Sequence, residues 1–273
     1  MYWSDALMVH WPEVMEDKTM KKKIYMVGIT LSFLLFVCSM YQVIRNYAGE
    51  QKAADEFEQL AEIVKQAETP EKKETEETEN QLPLEEYQEL FHQNNDLTGW
   101  ILVEGTQINY PVMYTPNNPD YYLKHNFEGK YSDYGVPYIA EHCDPYEPSD
   151  NVIIYGHHMD NGSMFAGLME YETQKFYESH KIIQFDTLTD QVCYEVVAVF
   201  KTTVYDDTGF KYYLFANAEK VEDYQKYVEK CKSLSFYDTG VTATYGDKLL
   251  TLSTCEYSNP NGRLVVVAKK VVG

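Results

Sequence analysis

The stretch that decides the fold is Asp247-Lys-Leu-Leu-Thr-Leu-Ser-Thr-Cys255, followed closely by Arg263-Leu-Val-Val-Val-Ala-Lys269. Both are apolar runs of strand length, and the residues between them include the turn formers Ser258-Asn-Pro-Asn-Gly262. This pattern predicts a hairpin whose first strand ends in a cysteine and whose second strand opens with an arginine. Cys255 and Arg263 are therefore expected side by side at one rim of a sheet, where a thiol can act as a nucleophile if a base is also present.

The candidate for that base is His157. The run Asn151-Val-Ile-Ile-Tyr-Gly-His157 has the composition of a buried strand, breaks at Gly156 and delivers its last residue to a loop. Its neighbour His158 shares the loop, but we favour His157 because it follows the glycine directly. The remaining histidines stand among polar or helix-end residues without a partner spacing and are interpreted as structural or solvated: His10, His92, His125, His142 and His180.

Composition limits the class of protein. The chain has 273 residues, 44% of them hydrophobic and 15% aromatic, which is ample for a globular core. A formal net charge of −20 excludes a general nucleic-acid binder, because phosphate binding needs a basic surface. Five cysteines without a CxxC pair argue against a zinc ribbon and a dense disulfide framework, although a disulfide among Cys143, Cys193 and Cys231 stays open. No cofactor or metal is predicted, and the acidic loop around Asp144 is interpreted as solvated.

The N-terminal part of the chain predicts a membrane anchor. Residues 24–44 carry no charge over 21 positions, which is enough for a helix to cross a hydrocarbon core of about 30 Å. Lysines precede this run and only Arg45 follows it closely, so the positive-inside rule places residues 1–23 in the cytoplasm and the C-terminal bulk outside. A cleaved signal peptide is the alternative. We prefer an uncleaved, single-pass anchor because the run is long and lacks a small-residue cleavage site.

An acidic segment, residues 45–82, follows the anchor. Between Glu50 and Asn80 it has eleven acidic residues against four lysines. The apolar stripe Phe57, Leu60, Val64 and Ala67 predicts a short amphipathic helix, and the charged residues after it predict a linker. We interpret the whole segment as a solvated stalk between the membrane and a globular domain at residues 83–273.

The globular domain is predicted to be mainly β. A helix starts near Pro83, and two helical segments are predicted at about Met164–His180 and Val221–Leu234, the latter in the loop before the cysteine strand. The eight candidate strands are Gly99–Glu104, Ile108–Tyr114, Val136–Ala140, Asn151–His157, Lys181–Leu188, Gln191–Val204, Asp247–Cys255 and Arg263–Val271. Eight strands without regular βαβ alternation favour a mainly antiparallel barrel or sandwich.

Three motifs in this domain resemble those of one family. Thr251-Leu-Ser-Thr-Cys255 is similar to the TLxTC signature of sortases, Tyr155-Gly-His157-His158-Met159 resembles their strand-end histidine segment, and the strand from Arg263 resembles their last strand. The surrounding sequence most resembles class B. The resemblance implies an eight-stranded sortase-type β-barrel and a cysteine transpeptidase of the Gram-positive cell envelope.

The resemblance also implies roles for individual residues. Cys255 would be the nucleophile, His157 the proton carrier and Arg263 the group that orients the peptide and binds the oxyanion. Residues similar to positions that contact the sorting signal are Asn118, Leu123, Ser253, Thr254 and Glu256. The implied partners are surface proteins with an NPxTx-like sorting signal and an amine acceptor, usually the lipid-linked peptidoglycan precursor. A pilin-polymerising sortase that uses a lysine acceptor would have the same catalytic residues.

Three functions of other classes are alternatives to a sortase. A papain-like thiol hydrolase normally places its cysteine at a helix N-terminus, whereas Cys255 is predicted to end a strand. A metal site built from His157, His158 and Cys255 lacks ligand spacing. A non-catalytic, membrane-anchored surface protein would make the same residues incidental. The sequence favours the sortase-type transpeptidase over all three.

Overall fold

Eight strands close into one barrel in the computed structural model, which describes residues 18–67, 84–205 and 208–271. The strands are β1 (Leu97–Leu102), β2 (Asn109–Met113), β3 (Tyr138–Ile139), β4 (Asn151–Tyr155), β5 (Ile182–Thr187), β6 (Cys193–Thr203), β7 (Leu249–Glu256) and β8 (Gly262–Lys270). Each strand lies inside a predicted strand or extends beyond it by at most two residues. The predicted eight-stranded barrel is confirmed.

The order of strands around the barrel is β1-β2-β3-β4-β7-β8-β6-β5. Only β2 with β3 and β4 with β7 pair in parallel, and the other neighbours are antiparallel. The parallel pair β4–β7 matters most for function. It joins the histidine strand to the cysteine strand, which lies far downstream in the chain.

Two apolar layers lie on the two faces of the β7–β8 sheet. Leu250, Leu252 and Leu264 belong to the core inside the barrel. Leu249 and Val265 instead belong to a second core on the outer face, together with buried residues of the helix before β7. This division follows from the alternation of side chains along a strand. It defines an inner and an outer face for every residue of these strands.

The described residues also form four α-helices: α1 (Lys18–Ala67), α2 (Glu85–Gln93), α3 (Gln174–Ser179) and α4 (Val221–Leu234). Helix α4 covers the outer face of the sheet with Tyr224, Tyr227 and Val228, and its predicted bounds are confirmed. Three 3₁₀ segments complete the described elements: Tyr121–Leu123, Phe165–Glu172 and Tyr212–Leu214.

The helical segment predicted at about Met164–His180 is divided into two elements. The structure has a 3₁₀ segment followed by the short helix α3. Between them Thr173 is extended, and its side chain accepts a hydrogen bond from the N–H of Phe176. Thr173 thus caps a new helix rather than continuing the old one, as expected for a β-branched residue with a hydroxyl.

Helix α1 contributes to two separate units, Met1–Gly49 and Glu50–Gly273. In the first unit, residues 24–44 are exposed along the helix. Its most apolar window has a mean hydropathy of 2.0, so the helix is long and apolar enough to cross a membrane.

In the second unit, residues 50–67 pack on the barrel. Phe57, Leu60 and Val64 are buried in the same apolar cluster as the barrel residues Leu250 and Leu252, and the Phe57 ring meets Tyr110 edge to face at 5.0 Å between centroids. The expectation of a solvated stalk over residues 45–82 is therefore corrected for residues 50–67, because their apolar stripe finds a partner surface. Residues 68–83, where the linker is predicted, lie outside the described residues.

Candidate active site

The β7–β8 hairpin places the cysteine opposite the arginine. Cys255 and Arg263 are directly paired across the two antiparallel strands. Side chains an even number of residues apart on a strand share one face. Cys255 is six residues from Leu249 on β7 and Arg263 is two residues from Val265 on β8, so both side chains lie on the outer face. The predicted juxtaposition is therefore present in the structure.

The parallel pair β4–β7 brings His157 to the same place. Tyr155 is paired with Ser253, and the N–H of Gly156 donates to the Ser253 carbonyl at 3.1 Å. Two residues beyond each member of that pair stand His157 and Cys255. A Cβ on Gly156 would lie 2.5 Å from the Phe165 ring, so only glycine fits where the strand ends.

A cavity of about 410 Å³ opens on this outer face, lined by His157, Cys255 and Arg263 together. Of the residues implied to contact a sorting signal, Leu123, Ser253 and Thr254 also line it. The cavity wall includes aromatic and apolar side chains that the sequence did not single out: Val136, Tyr138, Tyr155, Val204, Tyr205, Tyr212, Tyr213 and Leu214. The concave, mostly apolar lining with a few convergent polar groups is typical of a ligand site.

His157 has a defined hydrogen-bond partner. Its Nε2 lies 2.8 Å from the carbonyl oxygen of Leu123, and because a carbonyl only accepts, Nε2 carries a proton. Burial lowers the pKa of His157 below its usual value, although the Leu123 hydrogen bond acts in the opposite direction. The neutral imidazole therefore has Nδ1 unprotonated, and this nitrogen can take up a proton.

His158 is held differently from its neighbour. Its Nδ1 donates to the carbonyl of Cys255 at 2.8 Å, and its ring lies 5.1 Å from that of Tyr257. It does not line the cavity. His158 thus fixes the backbone of the cysteine strand, while His157 faces the cavity.

Two hydroxyl groups tie β7 to its surroundings. Thr254 Oγ1 donates to the Gly156 carbonyl at 2.9 Å, which joins the cysteine strand to the histidine loop. Ser253 Oγ lies 2.6 Å from the hydroxyl of Tyr212.

Arg263 uses one guanidinium nitrogen, Nη1, to donate to the Gly262 carbonyl at 2.8 Å. Its other donors can serve a ligand in the cavity.

Asn118 and Glu256 do not line the cavity that His157, Cys255 and Arg263 share, although Glu256 lines a second depression with Cys255 and Arg263. Asn118 lines a separate depression beside Tyr121 and Gly129. Glu256 is only 5% exposed and ion-paired with Lys201. The structure therefore does not bring these two residues together with the other three implied contacts. The reason for Glu256 is strand alternation, which turns it to the face opposite Cys255.

Sequence reasoning did not identify the tyrosines that line the cavity, because their position there depends on contacts between distant segments. The sequence contains 25 tyrosines, so their number alone marks no position. Tyr205 and Tyr212 come from the connection after β6, whereas Tyr138 comes from β3.

All five cysteines are free thiols. Within the described ranges, no group of three His, Cys, Asp or Glu side chains is arranged to hold a metal ion.

Comparison with known proteins identifies the class that this barrel and cavity represent. Residues 101–271 match the model of the Sortase domain. The match covers more than half of the chain, which therefore belongs to the sortase family of cysteine transpeptidases.

Within that family the relatives are class B sortases. Sortase B of Staphylococcus aureus is 31% identical over 252 residues, which cover 92% of this chain and 97% of that protein. Sortase B of Listeria monocytogenes is 34% identical over 190 residues, covering 68% and 74% of the two chains. A solved Staphylococcus aureus sortase B–substrate complex superposes with a TM-score of 0.71 at 30% identity, covering 82% of this chain and 98% of that one. The chain is a class B member.

Proposed function

We propose that this protein is a membrane-anchored transpeptidase that cleaves an NPxTx-like sorting signal after threonine and joins the new carbonyl to an amine, thereby attaching surface proteins to peptidoglycan. The observation that supports this most directly is the shared cavity of Cys255, His157 and Arg263. Class B relatives agree with it, one of them solved with a substrate. The apolar residues 24–44 would hold the enzyme at the outer membrane face, where both substrates arrive.

The first half of the reaction forms a thioester. Neutral His157 takes the thiol proton of Cys255 on Nδ1 while the sulfur attacks the threonine carbonyl. The developing oxyanion accepts hydrogen bonds from Arg263, which stays protonated and cannot act as a base. His157 then passes its proton to the leaving amine as the peptide bond breaks.

The second half uses the same groups in reverse. An incoming amine attacks the thioester, and neutral His157 takes up the proton that this amine loses. The C–S bond breaks, and the sulfur recovers a proton from the imidazolium. The lowered pKa of His157 suits this work, because the imidazole is neutral near pH 7 at the start of each half-reaction.

The nucleophile assignment is tested with Cys255→Ala. We expect this variant to lose both cleavage of an NPxTx peptide and amine transfer, because a methyl group cannot form the thioester. Cleavage and transfer are measured by mass spectrometry of the products with the domain Glu50–Gly273. Cys193→Ala, which removes an exposed cysteine elsewhere, is the matched control and should keep both activities. Retained cleavage by Cys255→Ala would overturn the proposal. Candidate amines in the same assay then identify the acceptor.

A further inference from the structure

A buried carboxylate lies behind the nucleophile. Glu256 follows Cys255 on β7 but points to the inner face, where its side chain is 5% exposed. A charge in such a place is stable only with paired cations or hydrogen-bond donors. The partners of Glu256 therefore indicate what it does.

Those partners are Ser258 and Lys201. Glu256 accepts hydrogen bonds from the Ser258 N–H at 2.8 Å and from Ser258 Oγ at 2.7 Å. Lys201 Nζ, on β6, lies 3.2 Å from Glu256 Oε1. Burial raises the pKa of Glu256, but the hydrogen bonds from Ser258 and Lys201 outweigh it and leave the pKa below its usual value. Glu256 is therefore a fixed anion that holds the start of the β7–β8 turn (Tyr257–Asn261).

Gly262 provides the space for this contact. Gly262 on β8 is paired with Glu256 on β7. A Cβ at position 262 would lie 2.9 Å from Glu256 Oε2 and 2.5 Å from the Glu256 carbonyl oxygen. Lys201 is paired with Leu264, two residues along β8, and therefore lies on the same face. The lysine reaches the carboxylate across a position where a larger residue would clash.

Lys201 has a second carboxylate partner. Its Nζ lies 2.9 Å from Glu172, the last residue of the 3₁₀ segment Phe165–Glu172. The first residue of that segment donates its N–H to the carbonyl of His157 at 2.8 Å. The Lys201 bridge, meaning Lys201 with Glu172 and Glu256, thus connects the turn after Cys255 with the segment attached to the histidine loop.

We propose that Lys201 and Glu256 are positioning residues, which hold the β7–β8 turn and the adjoining strand ends in the geometry that the reaction needs. This inference rests on the proposed function. It also replaces the expectation that Glu256 touches the sorting signal. A residue that binds substrate affects KM, whereas one that only aligns reacting groups affects kcat.

The test compares Lys201→Met, Lys201→Arg and Glu256→Gln. We expect Lys201→Met and Glu256→Gln to lower kcat for peptide cleavage about tenfold while KM stays within about twofold, since small misplacements of reacting groups reduce rates steeply. Lys201→Arg keeps the charge and should restore most of kcat. The rate of Cys255 alkylation by iodoacetamide, followed by peptide mass spectrometry, should fall in parallel. This readout needs no sorting signal, so it separates failure of the bridge from failure of the proposed reaction.

Lys248→Met is the matched control. It removes an ion pair of similar exposure, Lys248 with Asp150 at 3.0 Å, just before the other end of β7. We expect Lys248→Met to change Tm about as much as Lys201→Met does, while its kcat stays at the wild-type value. The inference is overturned if Lys201→Met keeps the wild-type kcat and alkylation rate, if KM rather than kcat changes, or if Lys248→Met lowers kcat equally.

Discussion

Adjacent histidines in this protein have different environments, although the sequence presents them as a pair. His158 donates to the backbone of Cys255, whereas His157 faces the cavity and donates to Leu123. The difference arises because the chain leaves β4 at Gly156, so successive residues no longer share the strand's constraints. One of these adjacent histidines is therefore structural, and the other is the proposed proton carrier.

The lowered pKa of His157 predicts how acid affects stability. In the unfolded chain a histidine titrates near pH 6.5, but burial keeps the pKa of His157 lower in the native state. Below about pH 6.5 the unfolded state therefore binds more protons. The stability that neutral His157 provides is complete above this pH and is lost as the pH falls through the native pKa.

We accordingly expect His157→Gln to lose less unfolding free energy than the wild type between about pH 7.5 and pH 5. Urea unfolding at both pH values measures the loss. NMR titration of the His157 ring, assigned by its disappearance in the variant, gives the native pKa directly. A native pKa above 6.5, or an equal loss of stability in both proteins, would contradict the expectation.

At the scale of elements, the sequence predicted most of what is local. The strands were found because their apolar composition and turn residues are visible in short windows, and the Cys255–Arg263 contact followed from one hairpin. The position of His157 beside Cys255 depends on the parallel β4–β7 pair, which no local pattern specifies. The resemblance to a family supplied this contact. The burial of residues 50–67 was missed for the same reason, since an apolar stripe does not name its partner surface.

Phe57 tests whether residues 50–67 stabilise the barrel. Its side chain is buried against Tyr110, so Phe57→Ala should cost about 3 kcal/mol of unfolding free energy by creating a cavity. Glu58→Ala is the matched control, because Glu58 is exposed on the same helix. Urea unfolding of the domain Glu50–Gly273 measures both variants. Equal stability of Phe57→Ala and Glu58→Ala would show that this helical segment does not contribute to the fold in solution.

For the whole molecule, the proposed reaction requires the catalytic unit to lie outside the cell. The positive-inside rule predicts this orientation, because the lysines precede residues 24–44. A solvent-exposed thiol in the catalytic unit can report the orientation. Cys193 is exposed at the start of β6, whereas Cys143 and Cys231 are buried.

We expect Cys193 to react with a membrane-impermeant maleimide on intact Gram-positive cells that express the full chain with Cys38→Ala and Cys255→Ala. These two changes leave Cys193 as the exposed thiol of the described residues. Labelling is read by gel shift of the membrane fraction, and adding Cys193→Ser should abolish it. An extracellular domain reacts before lysis, because the reagent cannot cross the bilayer. If Cys193 reacts only after lysis, the catalytic unit faces the cytoplasm, and neither the sorting signals nor the peptidoglycan acceptor can reach the cavity of Cys255.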